Sequence, residues 1–113
     1  MHPESAFIAL ADPTRRQVFE GLIAAPLPVG KLAAGLPVSR SAVSQHLKVL
    51  SDAGMVSAQK QGRQNIYQVE PARLAELRSY FDALWGRALD GFAAHAEKRY
   101  REEGKDADGS NIG

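Results

Sequence analysis

The chain has 113 residues, of which 44% are hydrophobic and 24% are charged, and its formal net charge is +1. A chain of this length supports one modest hydrophobic core, so a single soluble domain is expected. There is no cysteine, which excludes disulfides and thiolate metal sites. The apolar run from Phe7 to Ala11 is too short for a membrane span and lacks the basic leader of a secretory signal, so a cytoplasmic protein is expected.

The N-terminal part predicts two short helices. The first ends at the Asp12-Pro13 pair, which starts the second. Asp12 is a suitable N-cap, and Pro13 fits the first helical position, where its missing N–H costs nothing. Val18, Leu22 and Ile23 give the second helix an apolar face, so we predict that they are core residues.

The next part predicts a helix-turn-helix motif. Two prolines end the second helix, and a short helix from about Val29 to Ala34 precedes a longer one from about Arg40 to Ala53. Ser39 is a good N-cap for the longer helix, and Gly54 suits the left-handed position just beyond its end.

The longer helix is amphipathic and is the predicted recognition helix. Val43, Leu47 and Leu50 recur at i, i+4 and i+7 and predict a packed face. Polar side chains on the other face can enter the major groove of DNA, where Gln45 can bridge N6 and N7 of adenine. A plain solvated face is the alternative for an isolated helix of this pattern. The predicted DNA-binding residues of this helix are Arg40, Ser41, Ser44, Gln45, His46 and Lys48.

After this helix the sequence predicts a β-hairpin. Apolar residues before and after a polar tip from Gln61 to Gln64 indicate two short strands, and they are Val56, Ala58, Ile66, Tyr67 and Val69. Gly62 in the tip supplies the positive φ that a hairpin loop often needs. Lys60 and Arg63 place positive charge near this tip and complete the predicted DNA-binding set, since such a tip can enter a minor groove or contact phosphates. A plain solvated hairpin is the alternative.

Positive charge is concentrated in this middle part of the chain. From Lys31 to Arg63 there are five basic residues and one acidic residue, a local balance of +4. From Pro71 onward there are seven basic and eight acidic residues, a balance of −1. The positive charge therefore coincides with the predicted reading surface, where phosphate contacts need it.

Beyond Pro71 the sequence predicts one long helix. Apolar residues recur there at three- and four-residue spacing over about 28 residues, which would span roughly 42 Å. A core of this size cannot cover such a helix, so we expect a second copy of the chain to pack against it and the first helix. A helix folded back onto its own domain is the alternative. The predicted dimer interface contains Phe7, Leu77, Phe81, Leu84, Trp85, Leu89 and Phe92.

Three blocks of sequence resemble the ArsR/SmtB family of winged-helix bacterial transcriptional regulators. They are LADPTRRQVFEGL at Leu10 to Leu22, SRSAVSQHLKVLSDAGMV at Ser39 to Val56, and GRQNIYQV at Gly62 to Val69. The resemblance extends over about residues 4–100 and implies a mainly α-helical winged helix-turn-helix with a small β-hairpin wing. It also implies a homodimeric repressor that binds DNA, for which the two-fold arrangement predicts a palindromic operator.

The remaining C-terminal sequence has a different character. Residues 101–113 show no apolar periodicity, so we expect a disordered tail after a winged domain that covers residues 1–100.

The metal sites of better-known family members are incomplete in this sequence. Metal-sensing members carry a Cys-x-Cys-type box before the turn, and the corresponding segment from Leu27 to Leu32 contains no ligand. A second family zinc site uses Asp-x-His and His-x-x-Glu. The equivalents here retain Asp82 and His95, whereas Leu84 and Lys98 occupy the other two positions. Four tetrahedral ligands cannot be assembled from this set, so no metal and no cofactor is expected.

An enzyme is not expected. Ser44 and His46 cannot form a nucleophile and base pair, because residues i and i+2 of a helix do not face each other. A winged-helix module that binds a protein partner is the alternative to the repressor. Clustered positive charge favours DNA, since a protein-binding face should be richer in aromatic and aliphatic anchors. An inducer pocket between the first and last helices, lined by Phe7, Phe81, Trp85 or Phe92, is an alternative to an aromatic dimer core.

Overall fold

The structure, a computed structural model, describes the backbone of residues 3–110 and the side chains of residues 3–103. The chain divides into two units, the first ending at Leu77 and the second beginning at Arg78. The elements follow in the order α1 (Glu4–Ala11), α2 (Pro13–Glu20), β1 (Leu27–Pro28), α3 (Val29–Ala34), α4 (Arg40–Asp52), β2 (Val56–Gln61), β3 (Gln64–Val69) and α5 (Pro71–Ser110).

Local capping interactions set the starts of α2 and α4. The backbone N–H of Arg15 donates to Asp12 Oδ1 over 2.9 Å, and this hydrogen bond lowers the pKa of the Asp12 carboxyl below its usual value. The backbone N–H of Ala42 donates to Ser39 Oγ over 3.1 Å. Gly54, just after α4, has φ +74°. The predicted N-caps and the predicted left-handed glycine are therefore confirmed.

The wing is a three-stranded antiparallel sheet in the order β1-β3-β2. The hairpin pairs Gln61 with Gln64, so Gly62 and Arg63 form a two-residue loop. Gly62 has φ +63° while Arg63 does not have a positive φ, which is the pattern of a type II′ turn. The predicted hairpin is confirmed, and its loop lies inside the predicted tip from Gln61 to Gln64.

Strand β1 was not predicted from the sequence. It has two residues, Leu27 and Pro28, which pair with Tyr67 and Ile66 of β3. So short a segment carries no alternation of polar and apolar residues, and its strand geometry comes from the nonlocal pairing with β3. This pairing joins the N-terminus of α3 to the wing.

The hydrophobic core of the first unit lies between α1, α2, α4 and the base of the wing. Val18 and Leu22 are buried as predicted, but the prediction for Ile23 is wrong, because this side chain is 56% exposed. Helix α2 ends at Glu20, so Ile23 lies in a turn and no longer follows the helical face. The core cluster consists of Ala6, Ala9, Val18, Phe19, Leu22, Leu32, Val43, Leu47, Leu50, Met55, Val56 and Leu77.

Leu77 requires a correction to the predicted dimer interface. Its side chain is 7% exposed and belongs to the core of its own subunit, so it offers almost no surface to a partner. Phe7 is half-buried and packs against the same core cluster. Both residues occur at apolar positions of a helix, and helical spacing does not distinguish a face covered by the same chain from one covered by another.

Helix α5 has 40 residues and is longer than the 28 or so predicted. It continues to Ser110, which differs from the expected disorder from residue 101 onward; residues 111–113 lie outside the described residues. Ion pairs at i and i+4 support its C-terminal part, between Arg101 and Glu97 at 2.7 Å and between Arg99 and Glu103 at 3.6 Å. Such pairs stabilise a helix without an apolar face, which hydrophobic periodicity does not detect.

The second unit exposes large apolar side chains on α5. Phe81, Trp85, Leu89 and Phe92 are each about half exposed or more, and Leu84 is half-buried. Over the described residues, no helix combines the length and the apolar character that a membrane crossing requires.

Candidate nucleic-acid interface

Helix α4 is held on one face and exposed on the other. Val43, Leu47 and Leu50 are each 0% exposed, which confirms the predicted packed face. The helix is thereby fixed to a close-packed core, and its polar side chains project from a rigid support. The predicted base- and phosphate-contacting residues of this helix that are exposed are Arg40, Ser41, Ser44, Gln45 and Lys48.

His46 lies at the edge of the packed face of α4. It is half-buried, and its charge contributes to the lowered pKa of the Asp12 carboxyl, so the imidazole is near the N-terminus of α2. His46 therefore faces its own subunit more than the other predicted DNA-binding residues do.

Lys48 has an acidic neighbour on the same helix. Its Nζ lies 3.5 Å from Asp52 Oδ2, one helical turn away, and both side chains are largely exposed. An exposed pair of this kind contributes little to stability, because solvent screens the attraction. The carboxylate nevertheless reduces the positive charge at the C-terminal end of the exposed face.

A cleft of about 420 Å³ separates the start of α4 from the wing. The guanidinium group of Arg40 lies beside α3, since Arg40 Nη1 is 3.7 Å from where a Cβ on Gly30 would be. Arg63 reaches the same cleft from the hairpin loop. The lining residues are Pro28, Val29, Gly30, Lys31, Arg40, Ser44, Arg63, Gln64, Asn65 and Tyr67.

The structure brings together three of the predicted DNA-binding residues in this cleft, namely Arg40, Ser44 and Arg63. Lys60 is exposed on β2 opposite Asn65, but it does not line the cleft. Lys31 contributes to the positive charge of this region but was not among the predicted DNA-binding residues. Asn65 was also missed, because the register that places it there depends on strand pairing.

The remaining candidate groups lie in the second unit. Asp82 and His95 are both exposed, and within the described residues no three histidine or acidic side chains are placed to share a metal ion. Phe81, Leu84 and Trp85 border an open depression along α5.

Comparison with known proteins places the chain in a family. A family model described as a helix-turn-helix domain matches residues 10–57. The HTH-type transcriptional regulator Rv2034 of Mycobacterium tuberculosis is 53% identical over 91 residues, which are 80% of this chain and 85% of that protein. The solved ArsR-like transcriptional regulator from Rhodococcus sp. RHA1 is 35% identical and superposes with a TM-score of 0.66, over 82% of this chain and 91% of that one.

A more distant structure has the same fold. It is a homodimeric winged helix-turn-helix DNA-binding domain from Mycobacterium bovis, which is 22% identical and has a TM-score of 0.61, over 76% of this chain and 80% of that one. The matched region of the closer relatives contains the helix-turn-helix, and these proteins are transcriptional regulators rather than enzymes. The chain therefore belongs to the ArsR/SmtB family of DNA-binding helix-turn-helix transcriptional regulators.

Proposed function

We propose that the protein is a homodimeric repressor that binds a palindromic operator in the cytoplasm. The observation that carries this proposal is the exposed polar face of α4 beside a cleft with basic side chains from α3, α4 and the wing. A helix of this kind enters the major groove, and basic side chains on either side of it contact phosphates. A repressor acts by occupying its operator, which requires no catalytic group.

The exposed apolar face of α5 supports the homodimer. Phe81, Trp85, Leu89 and Phe92 form a large apolar surface of the kind that marks an interface on a soluble protein. The winged domain from Mycobacterium bovis is itself homodimeric. A two-fold dimer presents two copies of α4 to two half-sites, which explains why a palindrome is the expected target.

Within the proposed interface, Gln45 reads a base, whereas Lys48 and Arg63 contact phosphates. Gln45 is exposed near the middle of α4, and its amide matches the donor and acceptor pattern of adenine. Lys48 has a compact ammonium group and Arg63 has a planar guanidinium group. Neither group distinguishes bases when it contacts the DNA backbone.

Replacing Gln45 by alanine is expected to reduce discrimination between operator and random DNA. Loss of a bidentate base contact costs roughly 1 to 3 kcal/mol on the operator and little on random DNA. Lys48→Ala and Arg63→Ala should instead weaken both complexes, with a salt dependence lower by about one counterion each. Fluorescence anisotropy over a salt series, with an operator obtained by selection from random duplexes, measures all of these quantities.

Two substitutions serve as matched controls for this experiment. Gln17→Ala removes an exposed glutamine from α2, and Lys98→Ala removes an exposed lysine from α5; neither should change DNA binding. If Gln45→Ala and Arg63→Ala left operator binding unchanged in folded dimers, the proposed reading surface would be wrong. The protein-association alternative would then be the better account.

We further propose that operator binding does not depend on a metal. Asp82 and His95 provide only two of the four ligands of the family's C-terminal zinc site, and the sequence contains no cysteine. Zinc, arsenite, thiol oxidants and a chelator are each expected to leave operator affinity unchanged in a gel-shift titration. A reproducible change of about tenfold, the effect of 1.4 kcal/mol, with low concentrations of zinc would contradict this proposal.

A further inference from the structure

Three basic side chains from three different elements converge on the cleft between α4 and the wing. Lys31 comes from α3, Arg40 from the first turn of α4 and Arg63 from the hairpin loop, and none of the residues that line the cleft is acidic. Like charges that border one cleft repel one another, and an anion in the cleft would offset this repulsion. The cleft is therefore suited to a negatively charged group.

Among the described side chains, some basic residues form ion pairs, and the three in the cleft do not. Several arginines elsewhere form ion pairs, such as Arg78 with Asp82 and Arg99 with Glu103. Among the residues whose side chains the structure describes, Lys31, Arg40 and Arg63 take part in no ion pair. Their donors are available to a ligand, as are those of Ser44 and Asn65 in the same cleft.

We propose that this cleft binds one phosphodiester group of the DNA backbone, held jointly by Arg40 and Arg63. The proposal rests on the proposed function and refines it. A guanidinium group forms paired hydrogen bonds with phosphate oxygens, and a phosphodiester supplies the negative charge that the cluster lacks. The bound phosphate lies between the groove that α4 enters and the groove beside the wing. This contact therefore fixes how α4 and the wing are positioned on the DNA.

This assignment changes the role expected for Arg40. Arg40 is in the part of α4 that enters the major groove, where a guanidinium group can contact either a guanine or the backbone. In the structure its guanidinium lies beside Gly30 of α3 and lines the cleft, whereas Gln45 is not among the residues that line it. Arg40 is therefore a phosphate contact and contributes no base discrimination.

Replacing single DNA phosphates by uncharged methylphosphonates tests whether Arg40 and Arg63 contact the same phosphate. Single methylphosphonates are placed at each position of a selected operator, and binding is measured with the full-length dimer. At one position in each half-site, the substitution should weaken wild-type binding about tenfold, the loss of one charge-assisted contact. Arg40→Ala and Arg63→Ala should each bind unmodified operator about tenfold more weakly and should both be insensitive to that same position.

Matched variants define the specificity of this result. Gln45→Ala should remain fully sensitive to the critical methylphosphonate, and Arg87→Ala, an exposed arginine of α5, should behave as the wild type. Circular dichroism confirms that each variant is folded. Arg40→Lys, which retains the charge but not the paired donors, should recover only part of the lost affinity.

Several results would overturn the proposal. If Arg40→Ala and Arg63→Ala lost sensitivity at two different phosphates, the shared site would be wrong while the repressor function stood. If Arg40→Ala altered the selected base sequence, Arg40 would be a base-reading residue. Saturable binding of inorganic phosphate to the DNA-free protein, detected at the Arg40 side chain by NMR, would indicate a site for a free anion. If the wild type bound no duplex selectively, the proposed function itself would fall.

Discussion

Replacing Trp85 by glutamate is expected to convert the protein to a monomer and to abolish operator binding at concentrations where the wild type is bound. Trp85 is 66% exposed in the subunit, at the centre of the apolar face of α5. An unpaired carboxylate in a dry interface costs roughly 3 kcal/mol or more, which is about a hundredfold in the dimer dissociation constant. A monomer holds one half-site only and loses the gain in affinity from linking two.

Sedimentation velocity at micromolar concentration measures this effect directly, with 12.2 kDa expected for the monomer. Ala83→Glu is the matched control, because Ala83 is exposed on the opposite side of the same helix and gains the same charge. This control should remain dimeric and should bind the operator. If the wild type sedimented as a monomer, or if Trp85→Glu remained a dimer, the interface proposed on α5 would be wrong.

Leu47→Ala is expected to lower the free energy of unfolding by about 2 to 5 kcal/mol. Leu47 is 0% exposed on the face of α4 that packs against the core, so truncation leaves a cavity in addition to the lost apolar burial. Since a domain of this size is stable by only about 5 to 15 kcal/mol, this change is a large fraction of the total. Urea unfolding at a fixed subunit concentration measures this change in free energy. The dependence of the free energy on urea concentration should be the same as in the wild type.

The comparison for Leu47 is Val49, two residues further along α4. Val49 is 37% exposed and outside the core cluster, so Val49→Ala should cost much less. Equal losses for the two substitutions would contradict the assignment of the packed face. Leu47→Ala should weaken operator binding only in proportion to the fraction of unfolded protein, because Leu47 supports α4 from behind without contacting DNA.

Features that depend on residues near one another in the chain could be predicted from the sequence. The packed face of α4 follows from the spacing of Val43, Leu47 and Leu50, and the start of this helix follows from the hydroxyl of Ser39. The turn of the wing follows from Gly62, because a two-residue hairpin loop needs a positive φ at that position. Each of these signals lies within the element that it specifies or directly beside it in the sequence.

Features that join distant residues could not be predicted in this way, because they depend on how the elements pack. Strand β1 exists because Leu27 pairs with Tyr67, forty residues later, and no local pattern records that pairing. Leu77 and Trp85 both lie at apolar positions of α5, yet one is buried in its own subunit and the other is exposed. The cleft that contains both Arg40 and Arg63 forms because α3, α4 and the wing lie next to one another. The position of a charge in space is set by the fold and not by its place in the sequence.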